Sequence, residues 1–173
     1  MLRPVAITDA QDIFEYSQRP SVGPHAGWKP HESLEETLDI IKLIFLEQET
    51  VWGIVLKETE KMIGTIGLIV DPKRENSSAR MLGYAISDLY WGRGYMTEAA
   101  RGAIRYGFVQ CGFSLISAYC YPENERSKRV IKKCSFIYEG TLRLAEILYT
   151  GEVRDNACYS LTAEQFKKAG ASV

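Results

Sequence analysis

The feature that most constrains this chain is a change of rhythm near residue 90. Before it, three β-rich runs follow one another closely: Val51 to Leu56, Met62 to Val70 and Arg80 to Ser87. Only a short charged turn separates the first two, and a polar loop with Pro72 precedes the third, so they read as an antiparallel meander. After it, Thr97 to about Gln110 carries Ala99, Ala100, Ala103, Ile104 and Phe108 at helical spacing, and Leu115 to Tyr121 is again a strand. Strand, helix and strand in succession make a crossover. Arg80–Ser87 and Leu115–Tyr121 are therefore expected to run parallel inside an otherwise antiparallel sheet.

The flanks fit around that unit. Leu2 to Ile7 reads as a short strand, and a helix capped by Thr8 or Asp9 follows to about Gln18. Arg19 to His31 holds three prolines and two glycines and is a loop. It also carries Trp28, His25 and His31, which either line a substrate entrance or serve as a packing anchor and solvated imidazoles. Ser33 and Glu36 have capping-box spacing, opening an amphipathic helix to about Gln48. Asn124 to Lys133 is a short helix, and Ile137–Tyr149 with Val153–Leu161 forms a closing hairpin turned at Thr150-Gly151. The expected fold class is α/β: a mixed, mostly antiparallel sheet flanked by helices, in one domain over residues 1–173.

Charge and cysteine usage narrow the function. With 21 basic and 22 acidic residues the formal net charge is −1, which argues against a nucleic-acid partner. The cysteines at 111, 120, 134 and 158 form no C-x-x-C pair and have no histidine cluster beside them, so no metal site is expected. Mostly apolar neighbours suit reduced core thiols in a cytoplasmic protein. No signal-like segment and no run of about 18 apolar residues is visible, so no membrane association is expected.

The chemistry centres on Trp91-Gly92-Arg93-Gly94-Tyr95-Met96-Thr97, between a strand and a helix. Two glycines one residue apart permit a tight turn, and the free N–H groups of the first helical turn then face it. That positive helix end suits a pyrophosphate, and Arg93 adds charge. The turn lacks the G-K-[ST] of a P-loop and the third glycine of a dinucleotide fingerprint. By itself a bare G-x-G before a helix is more often a plain tight turn than a ligand site.

Context makes it specific. Residues 82–108, LGYAISDLYWGRGYMTEAARGAIRYGF, resemble motif A of the GNAT acetyltransferases, above all the branch containing ribosomal-protein N-terminal acetyltransferases. In the family pattern Q/R-x-x-G-x-G/A, Trp91 stands first, Gly94 fourth and Met96 sixth. Residues 122–143, PENERSKRVIKKCSFIYEGTLR, resemble motif B of the same branch through Asn124, Ser127, Lys133, Phe136, Glu139 and Gly140, with Ser135 at the usual glycine position.

The resemblance implies a GNAT fold and acetyl-CoA as cosubstrate. It implies that Arg80–Ser87 splays from Leu115–Tyr121, so that the backbone of Ala85, Ile86 and Ser87 pairs with pantetheine amides. The turn from Gly92 through Arg93, Gly94, Tyr95 and Met96 to Thr97 would hold the diphosphate. Asn124 would hold the pantetheine arm, and Ser127 would hydrogen-bond the departing sulfur. Glu146 is the expected general base, a carboxylate partly withdrawn from water among Ile147, Leu148 and Tyr149. Tyr119 and Tyr121 are read as facing opposite sides of their strand, Tyr121 toward the substrate with Trp28. Lys128, Arg129, Lys132 and Lys133 either contact a nucleotide phosphate or form a solvated face. The acceptor is a primary amine, a peptide N-terminus or a small molecule, and the protein is a monomer or homodimer; a non-catalytic acetyl-CoA-binding module is the alternative.

Overall fold

The computed structural model describes residues 1–46 and 48–170. Seven strands form one sheet in the order β1-β2-β3-β4-β5-β7-β6. They are β1 (Leu2–Arg3), β2 (Val51–Val55), β3 (Met62–Val70), β4 (Ala79–Ile86), β5 (Leu115–Cys120), β6 (Ile137–Ile147) and β7 (Val153–Thr162). Every neighbouring pair is antiparallel except β4 and β5. The crossover between those two is α3 (Tyr95–Val109). The other helices are α1 (Ala10–Ser17), α2 (Leu34–Ile40), α4 (Glu125–Lys133) and α5 (Ala163–Gly170).

Strand alternation divides the core in two. Leu82, Ile86, Ile116, Ala118, Tyr159 and Leu161 face α3 and α4, where Ala100, Ala103, Ile104 and Ile131 are buried against them. The opposite side packs Ile13, Tyr16, Val22 and Ile41 onto Val55 and Met62. Gly107 lets α3 approach closely: a Cβ there would stand 2.6 Å from Leu68 Cδ1.

The parallel pair is short. β4 and β5 share the pairs Ala79 with Leu115, Arg80 with Ile116 and Met81 with Ser117. Beyond them β4 stays with β3 as far as Ile86 opposite Gly64, and β5 stays with β7 as far as Cys120 opposite Ala157. The two strands therefore fork in the middle of the sheet.

Several local expectations change. The first strand stops at Arg3, because Pro4 has no N–H to continue a ladder. Asp9 makes no side-chain N-cap to α1; its carboxylate accepts from the Ala6 N–H and the Arg3 guanidinium. Ser33 does cap α2, accepting from the Glu36 N–H, but the Glu36 carboxylate reaches back to the Glu32 N–H. The second helix passes into a wide π turn over Ile41–Phe45. Tyr119 and Tyr121 lie on the same side of their strand, not opposite sides: two residues is one full pleat period, and their hydroxyls reach Asp71 and Glu146 across the face away from α3. Ser135, in place of glycine after α4, still takes the left-handed conformation at φ 65°, and Phe136 remains buried.

Candidate active site

The glycine turn is held open by backbone geometry. Gly92 and Gly94 have φ of 76° and 86°, left-handed values that cost an L side chain about 1–2 kcal/mol. A Cβ on either glycine would meet nothing within 4 Å, so space lies in front of the turn. The N–H groups of Tyr95, Met96 and Thr97 begin α3 and have no carbonyl partner inside it. Behind them the Trp91 indole N–H donates to the Ile86 carbonyl at 3.0 Å, tying the turn to the end of β4.

Cations come from α4 rather than from the turn. Arg126, Arg129 and Lys133, spaced i, i+3 and i+7, share the helix face that lines the cleft. The Arg126 guanidinium lies 3.9 Å from the centre of the Trp91 ring. Of the basic residues expected to face a phosphate, Lys128 pairs instead with Glu125 at 2.7 Å, and Lys132 is not among the lining residues. Arg93 rests against the Tyr90 ring at 5.4 Å.

From the turn a cavity of about 520 Å³ runs into the fork and through the sheet. On the α4 side it meets Tyr84, Cys120, Asn124 and Ser127. Asn124 is the N-cap of α4, its carboxamide oxygen accepting from the Ser127 N–H at 3.1 Å. The Ser127 hydroxyl is 2.7 Å from the Tyr84 hydroxyl. Burial holds the Tyr84 phenol well above the ordinary tyrosine range, against the opposing pull of the Ser127 bond, so the phenol keeps its proton. Burial also pushes the Cys120 thiol up to about 11. A thiol that remains protonated at neutral pH is a poor nucleophile, which disfavours an acetyl-cysteine intermediate.

On the opposite side the cavity meets Glu146, Tyr121, Asn156 and His25. Glu146 is placed by an irregularity in β6. Leu142 pairs with Asn156 and Glu146 with Arg154, so three residues bulge opposite one. Leu144 in that bulge takes φ 49°, and its freed N–H is satisfied by the Asp155 carboxylate at 2.8 Å. The bulge turns the half-buried Glu146 carboxylate inward. It accepts from the Tyr121 hydroxyl at 2.8 Å and from the Asn156 amide at 3.1 Å. Burial, then the bond to Glu146, raises the Tyr121 phenol far above its usual value, so Tyr121 serves as a neutral donor.

The 19–31 loop closes over this carboxylate. Gly27, at φ 86°, comes so near that a Cβ would stand 2.7 Å from Glu146 Oε1. The loop is anchored by the Ser21 hydroxyl and Arg19 guanidinium on Asp88, and by His31 Nδ1 between Ser17 and Thr37. Burial lowers the His25 imidazole below its ordinary value, and the Arg126 and Arg154 cations push the same way.

The structure thus brings Ala85, Ile86, Gly92, Gly94, Tyr95, Met96, Thr97, Tyr121, Asn124, Ser127 and Glu146 to one cavity. Trp28, Ser87 and Arg93 are outside its lining. Trp28 packs on Gly23 and stacks near His31, with ring centres 5.2 Å apart. The Ser87 N–H donates to Ile63, so by strand alternation the backbone of Ala85 and Ser87 faces β3, while that of Leu82, Tyr84 and Ile86 faces the fork. Tyr84, Asn156, Gly27 and Arg126 are site residues that sequence reasoning passed over. Arg126 was legible from its spacing with Arg129 and Lys133; the other three depend on tertiary contacts.

A family model described as an acetyltransferase (GNAT) domain matches residues 1–137. An uncharacterized N-acetyltransferase, YoaA of Bacillus subtilis (strain 168), is 30% identical over 166 residues, covering 93% of this chain and 92% of that protein. A ribosomal-protein-S5-alanine acetyltransferase from Vibrio fischeri superposes with a TM-score of 0.75 at 24% identity, covering 94% of this chain and 92% of its own. A spermidine N-acetyltransferase from Vibrio cholerae, in complex with CoA and spermine, superposes with a TM-score of 0.80 at 18% identity, covering 96% and 97%. At such identities these two structures speak for the fold alone.

Proposed function

The chain belongs to the GNAT acetyltransferase family, and we propose that the group it acetylates is a primary amine, by preference an α-amino group, reaching the fork from the Glu146 side while acetyl-CoA enters from the α4 side. An α-amino group has a pKa near 8, within reach of a single carboxylate base at neutral pH. The observation that carries this assignment is the cavity through the fork, which joins Ser127 on one face of the sheet to Glu146 on the other.

The geometry suits the chemistry step by step. The first-turn amides of α3, with Arg126, Arg129 and Lys133, suit the phosphates of the donor. The fork-facing backbone of Tyr84, beyond the last parallel pair, has no strand to pair with, which suits the amides of a pantetheine arm. Glu146, fixed by Tyr121 and Asn156, takes the proton from the ammonium. The amine nitrogen then bonds to the thioester carbonyl carbon, and the fork-facing Ile86 N–H donates to the oxyanion that forms. As the C–S bond breaks, the Ser127 hydroxyl, itself hydrogen-bonded to Tyr84, donates a hydrogen bond to the departing thiolate, and the second proton shed by the acylated nitrogen goes to that sulfur. A thiol of pKa near 8.5 needs only modest help to leave.

The test is to follow thiol release from acetyl-CoA with peptides of varied N-termini, free amino acids, polyamines and aminoglycosides, and to locate the new acetyl group by mass spectrometry. Acetylation at an α-nitrogen is expected. Micromolar acetyl-CoA binding without transfer to any amine would refute the assignment and leave a binding module.

A further inference from the structure

Resting on that acetyl-transfer assignment, we infer that the acceptor is an amine carrying a carboxylate a few bonds from its nitrogen, and that Lys73 binds that carboxylate. On the Glu146 side of the cavity two opposite charges stand apart without ionic partners. Glu146 is held by two neutral donors, Tyr121 and Asn156. Lys73 lines the same cavity, 5.3 Å from the centre of the Tyr119 ring, and among the described residues no carboxylate lies within ion-pair reach of its ammonium.

The other charges nearby are already committed. Arg154 is paired with both Glu123 and Glu152. Asp71 is buried and accepts from the Ser117 and Tyr119 hydroxyls and from the Lys73 N–H, with Arg74 beside it. That network has a second effect. By gripping the Lys73 backbone at 2.8 Å and the Tyr119 hydroxyl at 2.9 Å, Asp71 fixes the loop that sets Lys73 over the tyrosine ring.

The spacing follows from β5. Tyr119 and Tyr121 are two residues apart on one face, so the group over the first and the carboxylate beside the second are offset by about 7 Å along the strand. An ammonium at Glu146 and a carboxylate at Lys73 fit that offset in a short zwitterion or in an N-terminal segment with an acidic side chain. A polyamine would instead set its second ammonium against Lys73, a like-charge contact. The chamber is therefore polarised against polycations.

The experiment compares kcat/KM for matched acceptors: a peptide amide with glutamate at its second position, the same amide with glutamine or lysine there, free glutamate, and spermidine. The acidic peptide amide or free glutamate should exceed the glutamine peptide by about fivefold, the upper end for a solvent-exposed ion pair. Which of the two leads tells a peptide end from a free amino acid. Lys73→Gln should bring the acidic-to-neutral ratio close to one through KM, Lys73→Arg should retain it, and Lys73→Glu should turn it toward the lysine peptide. The preference should also shrink in about 0.5 M salt, because Lys73 is exposed. Acetylation of all amines without charge preference, a spermidine preference, or a ratio unmoved in Lys73→Gln would overturn the inference and leave acetyl transfer standing. No transfer to any of these amines, despite acetyl-CoA binding, would overturn both.

Discussion

Replacing Glu146 by glutamine isolates the proton-accepting role proposed for it from its structural one. Glu146 Oε1 accepts from the Tyr121 hydroxyl and Oε2 from the Asn156 amide. A glutamine in the same rotamer can turn its oxygen to Asn156 and its NH₂ to Tyr121, whose hydroxyl rotates to accept. Both hydrogen bonds survive, so the folding cost stays within about 1 kcal/mol. Catalysis is different, because an amide cannot take the ammonium proton. Loss of a positioned general base costs about 10²–10⁴ in rate, or roughly 3–5 kcal/mol of barrier. The assay is single-turnover acetyl transfer at saturating acetyl-CoA, with cosubstrate affinity measured by calorimetry and folding by thermal melting. A rate at least a hundredfold lower is expected, with affinity nearly unchanged. The residual rate should climb with pH as the free amine, of pKa near 8, loses its proton unaided. A turnover number within twofold of the parent would remove Glu146 from the mechanism.

Gly27→Ala should lower kcat by about tenfold with acetyl-CoA affinity intact, since its Cβ would push Glu146 Oε1 from a 2.7 Å approach, and a 1 Å displacement at a reacting group is costly; an unchanged kcat would mean the loop yields. Tyr84→Phe removes the bond to Ser127 and should cost about 1 kcal/mol of stability and slow the acetyl-transfer step, read by melting and single-turnover rates. Ser135→Gly should stabilise the fold by about 0.5–1 kcal/mol in denaturant titration, because Ser135 sits at φ 65°. Asp88 is held below its ordinary value: burial raises it, but the Ser21 and Arg19 contacts outweigh that. Its contribution is therefore complete above the unfolded-state value, about 4, and disappears as pH falls through the depressed folded value. Asp88→Asn should cost about 1 kcal/mol at neutral pH and nothing in strong acid.

Much of the scaffold was legible because it rests on periodicity. Met62–Val70 is one apolar run, and the spacing of Ala99, Ala100, Ala103 and Ile104 defines the buried face of α3. α5 carries a signal of its own: Thr162 and Gln165 exchange reciprocal capping bonds, the T-x-x-Q form of a capping box. The surroundings of Glu146 were not legible in that way. They depend on the register shift between Leu142 and Glu146, which a left-handed Leu144 and the Asp155 carboxylate sustain. Strand patterning assigns faces by counting in twos, and a bulge breaks the count. Trp28 shows a related limit. Composition marks the 19–31 loop as aromatic, but only packing reveals that the indole covers Gly23 while Gly27 meets the carboxylate.

The fork itself follows from where each strand finds its partners. β4 is held to β3 up to the Ser87 N–H, which donates to Ile63, and the Trp91 indole takes the Ile86 carbonyl. β5 is held to β7 through Cys120, and the last residue it shares with β4, Ser117, is bound by the buried Asp71. β4 stays aligned with β3, and β5 with β7, past the last parallel pair, so the two antiparallel ladders diverge from that point. The fork-facing backbone of Tyr84 is thus left without a strand on that side, an arrangement stable in a protein interior only if water or a ligand supplies the missing partners. An entering chain that carries its own amides meets that requirement and completes the sheet. The same divergence separates the faces, so that in the proposed reaction a donor near the basic α4 and an acceptor near Glu146 meet only at the opening between the strands.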